Sequence, residues 1–218
     1  MMGSFGKPFR PVFDPGVAVT PWWLVAGKTC VAVYQPKGAA SLAASYVNLA
    51  NPGTYDAALG VAPTWASATG WTFNGSTQYL TTGIVPASGW SMLARIANTI
   101  AWGGIVGATP TTSNGFSMRW FPETLRVGIH ETGFIGNVAI ATGNEVLALA
   151  GRNLYSDGVF LASGGGTLST APGLYIGAEN LMGVKNYPFT GMILAVAIYS
   201  STLTAGEVAA VSAAMAAL

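Results

Sequence analysis

Short apolar segments separated by turn residues run through most of this chain, and no other feature constrains its fold as strongly. Residues 29–35 alternate and are rich in Val and Tyr, and comparable segments follow at residues 71–81, 90–96, 104–106, 116–121, 125–130, 145–150, 154–162, 174–178 and 189–199. Segments of this length, bounded by Gly, Pro, Asn or Asp, are typical of β-strands. Many short strands with little helix predict an all-β sandwich or jelly roll.

Turn chemistry predicts two hairpins within this pattern. Asp157-Gly158 lies between two apolar stretches, and both positions of such a two-residue turn need the positive φ that these residue types tolerate. Residues 116–121 and 125–130 flank Pro122-Glu123-Thr124 and are expected to pair as a second hairpin. Because hairpins join antiparallel strands, we expect two antiparallel sheets packed face to face.

One helix is predicted, and it follows the last expected strand. Thr204-Ala205-Gly206-Glu207 has the form of a capping box, in which the Thr hydroxyl and the Glu carboxylate satisfy free amides at a helix start. Val208, Val211 and Met215 then recur at helical spacing. A helix this short is not stable alone, so we expect its apolar face to pack on the sandwich.

The sequence is poor in charge, and this limits the partners that it can have. Only 8% of its 218 residues are charged, against roughly 25% in an ordinary domain, and the formal net charge is +1. Such a balance offers no counterion release on nucleic acid and no attraction to anionic lipid. The longest apolar run, residues 192–199, is shorter than a membrane span. We therefore expect neither nucleic acid nor a membrane as a partner, and the start of the chain shows no secretory signal.

Low charge also bears on self-association, because charge keeps soluble monomers apart. Either uncharged polar side chains cover the surface, or other copies of the chain cover much of it. Residues 1–28 favour the second interpretation, since prolines recur there among aromatic side chains and predict an extended arm that docks on another surface. The expected anchors of this assembly arm are Phe9, Phe13, Trp22 and Trp23.

Several motifs in the expected strands resemble those of one family. The segment 71–80, WTFNGSTQYL, is similar to the F-(D/N)-G-S-x-x-Y-(L/V) strand of concanavalin A-like, LamG-type jelly-roll domains. The segment 154–159, LYSDGV, resembles their L-Y-x-D-G-x hairpin, and Tyr175-Ile176-Gly177 resembles their x-I-G strand. Residues 188–204 resemble their closing strand, which a short helix follows. The resemblance covers the chain from about residue 29 onward and implies the concanavalin A-like jelly roll.

The same resemblance extends to a class of particle. Such domains also occur in the tail, fibre and head-decorating proteins of bacteriophages, and the Ala-, Gly- and Thr-rich, charge-poor texture of this chain is similar to theirs. A fold does not determine a function, however, because jelly rolls include lectins, glycoside hydrolases and structural proteins. The chemistry of the side chains has to distinguish among these.

The acidic residues are spread too widely for the catalytic pattern of a glycosidase. Laminarinase-like members of the superfamily carry a compact E-x-D-x-x-E on one strand, whereas no two acids here lie closer than eight positions. The closest pair, Glu123 and Glu131, would stand over about 20 Å apart at opposite ends of one hairpin, too far for two cooperating carboxylates. His130 is the only histidine, and Cys30 is expected to be a buried strand residue rather than a nucleophile. We expect no enzymatic activity.

Two kinds of binding site stay open. Calcium is the one cofactor considered, and Glu179-Asn180 is the only acid–amide pair that would suit it; no metal ligand set is assigned. Glycan binding uses exposed aromatic faces and amides, and the candidates are Trp102, Trp120 and Asn180, with Trp71 expected in the core. Trp102 lies beside glycines and Trp120 near Pro122, which favours exposure of both.

These observations predict an assembly arm at residues 1–28 and a concanavalin A-like jelly roll at residues 29–218. The function they favour is a non-enzymatic structural protein of a phage virion, a capsid-decoration or tail component, made in the host cytoplasm without a signal peptide. Its partners would be other copies of itself and a larger virion scaffold. The alternative is a lectin-like, carbohydrate-binding adhesion module.

Overall fold

The computed structural model of the protein describes residues 20–110, 115–120, 125–129, 135–138, 143–164 and 172–218. Within them the elements in chain order are β1 (Cys30–Tyr34), α1 (Leu42–Ser45), β2 (Ala58–Val61), β3 (Thr64–Ala66), β4 (Gly70–Asn74), β5 (Tyr79–Thr81), β6 (Ser91–Ala101), β7 (Gly103–Thr109), β8 (Phe116–Trp120), β9 (Leu125–Ile129), β10 (Ile135–Val138), β11 (Val146–Ala150), β12 (Asn153–Ser156), β13 (Val159–Ser163), β14 (Tyr175–Ile176), β15 (Glu179–Leu181), β16 (Val184–Asn186), β17 (Thr190–Tyr199) and α2 (Ala205–Ala216). No helix of this described part is long and apolar enough to span a membrane.

The strands form two sheets, as the turn chemistry predicts. The eight-stranded sheet has the order β13-β12-β11-β6-β17-β4-β3, with β1 also paired to β17. The nine-stranded sheet has the order β10-β9-β8-β7-β14-β5-β2, with the β15–β16 hairpin joined to it through β7. Among the described pairings only β15–β7 is parallel, and the others are antiparallel. The predicted all-β sandwich is therefore confirmed.

The core between the sheets is built from alternate residues of facing strands. On β4 the side chains of Trp71 and Phe73 point inward, and on β8 those of Phe116, Met118 and Trp120 do. Strand residues alternate between the two faces of a sheet, so this spacing of two puts the intervening residues on the outer face. Trp71 is fully buried, as predicted.

A second apolar core covers the outer face of the eight-stranded sheet. Strand β17 buries Ile193, Val196 and Ile198 in the first core and Ala195, Ala197 and Tyr199 in the second. The remaining members come from the neighbouring strands and from α2, and they include Val33, Leu93, Val146, Ala148, Ala150, Tyr155, Leu203, Val208, Val211 and Met215. Burial on both faces explains why residues 192–199 form a continuous apolar run rather than an alternating one.

Helix α2 is held on this face at both of its ends. The predicted capping box is present, since the Thr204 side chain accepts from the Glu207 amide and the Glu207 carboxylate accepts from the Thr204 amide. At the other end, Arg95 of β6 donates to the Met215 carbonyl over 3.0 Å. A cation at a helix C-terminus also opposes the helix dipole.

Residues 20–28 lie against the same second core. The indole of Trp22 donates to the Gln35 side chain over 2.8 Å, and the Tyr199 hydroxyl donates to the Trp23 carbonyl over 2.8 Å. Lys28 donates to the Thr202 carbonyl over 2.9 Å. Two of the four expected arm anchors thus pack on this chain itself, and Phe9 and Phe13 lie outside the described residues. The assembly role of these anchors and the 1–28 boundary remain predictions.

Most of the local predictions agree with the strands found. Asp157 and Gly158 have φ of 47° and 78° and join β12 to β13, and β8 pairs with β9 as the second hairpin. Residues 71–81, in contrast, form two strands in different sheets, because Asn74 accepts from the amides of Ser76 and Thr77 and ends β4 in a turn. Helix α1 and strands β2, β3, β10, β15 and β16 were not expected.

Cys30 begins β1 and is half-buried, as a strand residue. Its thiol donates weakly to the carbonyl of Ile198, at 3.6 Å. Burial raises the pKa of this thiol to about 12, so it stays protonated at neutral pH. Cys30 is thus a strand residue, as predicted, and its having no nucleophilic role stays a prediction.

The second core should contribute measurably to stability. We predict that Met215→Ala lowers the free energy of unfolding by about 2–5 kcal/mol, because it leaves a cavity at a fully buried position. The matched control is Ala213→Ser on the exposed side of α2, which should change it by less than about 0.5 kcal/mol. Urea unfolding of the two variants tests this, and equal effects would show that α2 does not share the core.

Candidate functional site

A half-exposed tryptophan marks the point where the chain passes from one sheet to the other. Trp102 is the single residue between β6 of the eight-stranded sheet and β7 of the nine-stranded sheet, and 50% of its surface is exposed. Its indole contacts Tyr187 edge to face, with 5.2 Å between ring centres and 61° between planes. Trp102 was predicted to be exposed, and this is confirmed.

The Tyr187 ring in turn rests on a buried cation. The guanidinium carbon of Arg119 lies 4.2 Å from the centre of that ring, within the range of a cation–π contact. Arg119 also forms an ion pair with Glu179, and the Thr109 hydroxyl donates to the same carboxylate. Glu179 is fully buried and Arg119 is nearly so. Trp102, Tyr187, Arg119 and Glu179 are called the aromatic cluster below.

The cluster exists because residues 177–187 cross over β7. The amide of Gly177 donates to the Ile105 carbonyl over 2.8 Å, and the amide of Gly104 donates to the Tyr187 carbonyl over 2.7 Å. The crossing needs positions on β7 that have no side chain beneath it. A Cβ on Gly104 would lie 2.8 Å from the Glu179 amide nitrogen, which is closer than real Cβ contacts come. This close approach accounts for Gly104, and a Cβ on Gly103 would lie 2.5 Å from the Pro188 carbonyl oxygen, which accounts for the other glycine.

Tyr187 has a backbone conformation that its residue type rarely adopts. Its φ is +48°, in the left-handed region that costs a bulky residue about 1 kcal/mol or more. Contacts on the ring with Arg119 and Trp102 oppose this cost. The tyrosine is therefore positioned by its surroundings, and it holds Trp102 from one side.

The other two glycan candidates are not available to a ligand in this arrangement. Trp120 is 4% exposed, so the expectation of exposure is wrong: β8 lies between β7 and β9, and alternation along β8 directs the indole into the core. Asn180 is also 4% exposed and lies in β15 rather than a loop. Its amide group donates to the Gly173 carbonyl over 2.7 Å, and its oxygen accepts from the Gly183 amide over 2.9 Å.

Each carboxylate of the described residues is engaged in holding the fold. Asp56 accepts from the Asn48 amide, Asp157 from the Val146 amide and Glu145 from the Gly143 amide. Glu179 belongs to the aromatic cluster, and Glu207 caps α2. Within the described ranges no group of three or more His, Cys, Asp or Glu residues could hold a metal ion. The calcium expectation is untested, and His130, Asp14, Glu123 and Glu131 lie outside the described residues.

Sequence reasoning missed Tyr187, Arg119 and Glu179 as members of one site. Their only local signal is the alternation in β8, where Ser117 and Arg119 occupy the positions between inward-facing Phe116, Met118 and Trp120. That spacing places a charged residue on the outer face of a strand. It does not reveal that a distant segment crosses that face and buries the charge.

No family model matches the chain, and no curated protein matches it. Among solved structures, a mutant of Trypanosoma rangeli sialidase displaying trans-sialidase activity aligns with 86% of this chain at a TM-score of 0.61 and 16% identity, over 33% of the sialidase. Trypanosoma rangeli sialidase itself aligns with 91% at a TM-score of 0.59 and 14% identity, over 35% of its length. Domain 4 of AbnA, a GH43 extracellular arabinanase from Geobacillus stearothermophilus, in complex with arabinotriose, aligns with 85% at 0.55 and 14% identity, over 98% of that domain.

At these identities the likeness shows the fold alone. The chain shares a β-sandwich with domains of carbohydrate-active enzymes, which is consistent with the expected concanavalin A-like fold. It spans about a third of the length of the sialidases that it matches. The bacteriophage part of the resemblance finds no counterpart in these three structures.

The buried ion pair of the aromatic cluster should behave as a unit. We predict that Arg119→Met lowers the free energy of unfolding by about 3–5 kcal/mol, because the Glu179 carboxylate is left buried without its counterion. Glu179→Gln should lower the free energy of unfolding by a similar amount, because it leaves the Arg119 guanidinium without its counterion. The double variant should be more stable than either single variant in urea unfolding. Additive losses would show that the two side chains do not interact.

Proposed function

We propose that this chain is a non-catalytic carbohydrate-binding domain whose contact residue is Trp102. The observation that carries the proposal is the half-exposed indole held edge to face by Tyr187, whose ring lies over Arg119. A large aromatic surface that stays exposed while its neighbour is locked in place is suited to stack against the apolar face of a sugar ring. Because the platform is ordered before binding, less conformational entropy is lost.

The charge balance of the aromatic cluster favours a neutral saccharide. Arg119 is matched by the Glu179 carboxylate, and Thr109 donates to the same group. An anionic ligand would therefore have to compete with a fully buried counterion. Stacking on Trp102 needs no charge, so we expect binding to depend only weakly on salt.

The comparisons and the carboxylates support this proposal from two sides. The AbnA domain, which aligns over nearly its whole length, is in complex with arabinotriose. The sialidases are enzymes, but this chain corresponds to about a third of them, and every described carboxylate here serves the fold. Saccharide binding without hydrolysis is consistent with the bound arabinotriose of the AbnA domain and with the structural roles of the described carboxylates.

The test is a glycan array followed by calorimetric titration of the saccharides that bind. We predict that Trp102→Ala weakens binding at least about tenfold, the effect of losing about 1.4 kcal/mol. Phe160→Ala is the matched control, because it removes an equally exposed aromatic ring from β13, at the edge of the other sheet. Retained binding by Trp102→Ala, or an array on which the native chain binds nothing, would contradict the proposal.

The second candidate is the structural role in a phage virion predicted from the sequence. The observation that favours it is the set of large apolar side chains exposed at the edge strand β13, Val159 and Phe160. Apolar side chains exposed on an edge strand form a surface on which another chain can pack. Such a role would not require a bound saccharide, and the assembly arm would supply the remaining contact.

Solution mass distinguishes this candidate. If the arm assembles copies of the chain, light scattering of the full chain will give a multiple of 22.3 kDa, and the double variant Phe9→Ala, Phe13→Ala will be monomeric with unchanged unfolding. Trp22 and Trp23 are left intact because they pack on the second core. A full chain that is already monomeric would contradict assembly of the isolated protein through its arm.

A further inference from the structure

A second pair of aromatic rings stands on the outer face of the nine-stranded sheet, which also carries Arg119. Tyr79 of β5 and Tyr175 of β14 have ring centres 4.9 Å apart with 42° between planes, and both are half-buried. Their neighbours Leu80 and Ile176 point into the core between the sheets. Alternation along each strand therefore directs both tyrosines outward.

A glycine on the neighbouring strand makes room for this pair. The Tyr79 ring covers Gly60 of β2, where a Cβ would lie 2.2 Å from the ring. The ring thus occupies the space where any other residue would place its side chain. The absence of a side chain at position 60 leaves room for the Tyr79 ring, which stays partly exposed.

The order of strands gives the lateral spacing between Arg119, which supports Tyr187, and Tyr79. In the strand order β8-β7-β14-β5, Arg119 lies on the first strand and Tyr79 on the last. Neighbouring strands are about 4.8 Å apart, so the two strands are about 14 Å apart across the sheet. Along the strands, Arg119 pairs with Gly104 of β7 and Tyr175 pairs with Gly107, so these two residues are also offset by three positions, or about 10 Å. A single sugar ring is too small to contact both pairs, whereas a short chain of linked sugars can.

A polar contact links the segments that carry the two pairs. Lys185 precedes Tyr187 by two positions, and its ammonium donates to the Ser76 carbonyl, three positions before Tyr79. A polar contact beside the aromatic rings suits a ligand that is rich in hydroxyl groups and has apolar ring faces.

We propose that Tyr79 and Tyr175 form a second saccharide subsite, so that the ligand is a linear oligosaccharide reaching from Trp102 to Tyr79 rather than a single sugar. This inference rests on the proposed function. Trp102 supplies the first contact, and the tyrosine pair adds affinity only when the ligand is long enough to reach it. Gly60 is a positioning residue, because it acts through Tyr79.

The experiment measures affinity against ligand length by calorimetry on the full chain. The probes are arabino-, xylo-, cello- and malto-oligosaccharides from one to six sugar units. For the native chain we expect at least one series to bind about tenfold more tightly or better once it spans the two pairs. Tyr175→Ala should remove that gain and leave the affinity for the shortest binding member unchanged. Tyr175→Phe, which keeps the ring, should retain it.

A second variant tests the same subsite without removing an aromatic ring. Gly60→Ala should displace the Tyr79 ring and reduce the gain with length, while binding of the shortest saccharide and the contacts of Trp102 persist. Thermal unfolding of each variant shows whether it is folded. If affinity does not rise with length, or if Tyr175→Ala keeps the rise, the second subsite is refuted and the proposed function stands. If no series binds, the proposed function itself fails.

Discussion

The eight-stranded sheet has to hide both of its faces from water, and this requirement organises the rest of the molecule. Strand β17 lies near the middle of that sheet and pairs with β1, β4 and β6. Its inner face is covered by the nine-stranded sheet and its outer face by α2 and residues 20–28. The capping box and Arg95 hold α2 in place, so two polar contacts at the ends of one helix protect an apolar surface that a simple sandwich would leave exposed.

This second core changes how the charge-poor composition is interpreted. From the sequence, the shortage of charge suggested a surface covered by other copies of the chain. In the described residues, part of the apolar surface is buried within the chain itself. Trp22, Trp23, Val208 and Val211 contribute to this burial in the second core. Exposed apolar side chains do persist, and Val159 and Phe160 on β13 are examples. Packing within the chain thus buries part of the apolar surface that the composition implies. The apolar side chains that stay exposed are concentrated at particular strands, such as β13.

The predictable parts of the fold are those encoded by neighbouring residues. Asp157-Gly158 specifies a turn whatever surrounds it, and the Thr204–Glu207 capping box needs only four positions, so both were found from the sequence. The aromatic cluster depends instead on a crossing between segments far apart in the chain. The sequence near Tyr187 does not indicate that its ring will lie over Arg119. The alternation along β8 predicts that Trp120 faces the same side as Phe116 and Met118, but not which side faces the core. Trp102 was identified as exposed because it stands beside Gly103-Gly104 in the sequence.

The position of Trp102 between two strands has a mechanical consequence. No loop separates the indole from the ladders on either side, since β6 ends at Ala101 and β7 begins at Gly103. Force on that side chain acts directly on β6 and β7. Strand β6 is hydrogen-bonded to β11 and β17, and strand β7 is hydrogen-bonded to β8 and β14. Force applied to Trp102 is therefore distributed over the hydrogen bonds of both sheets. We expect the domain to stay folded under a load that acts through a ligand bound to this side chain.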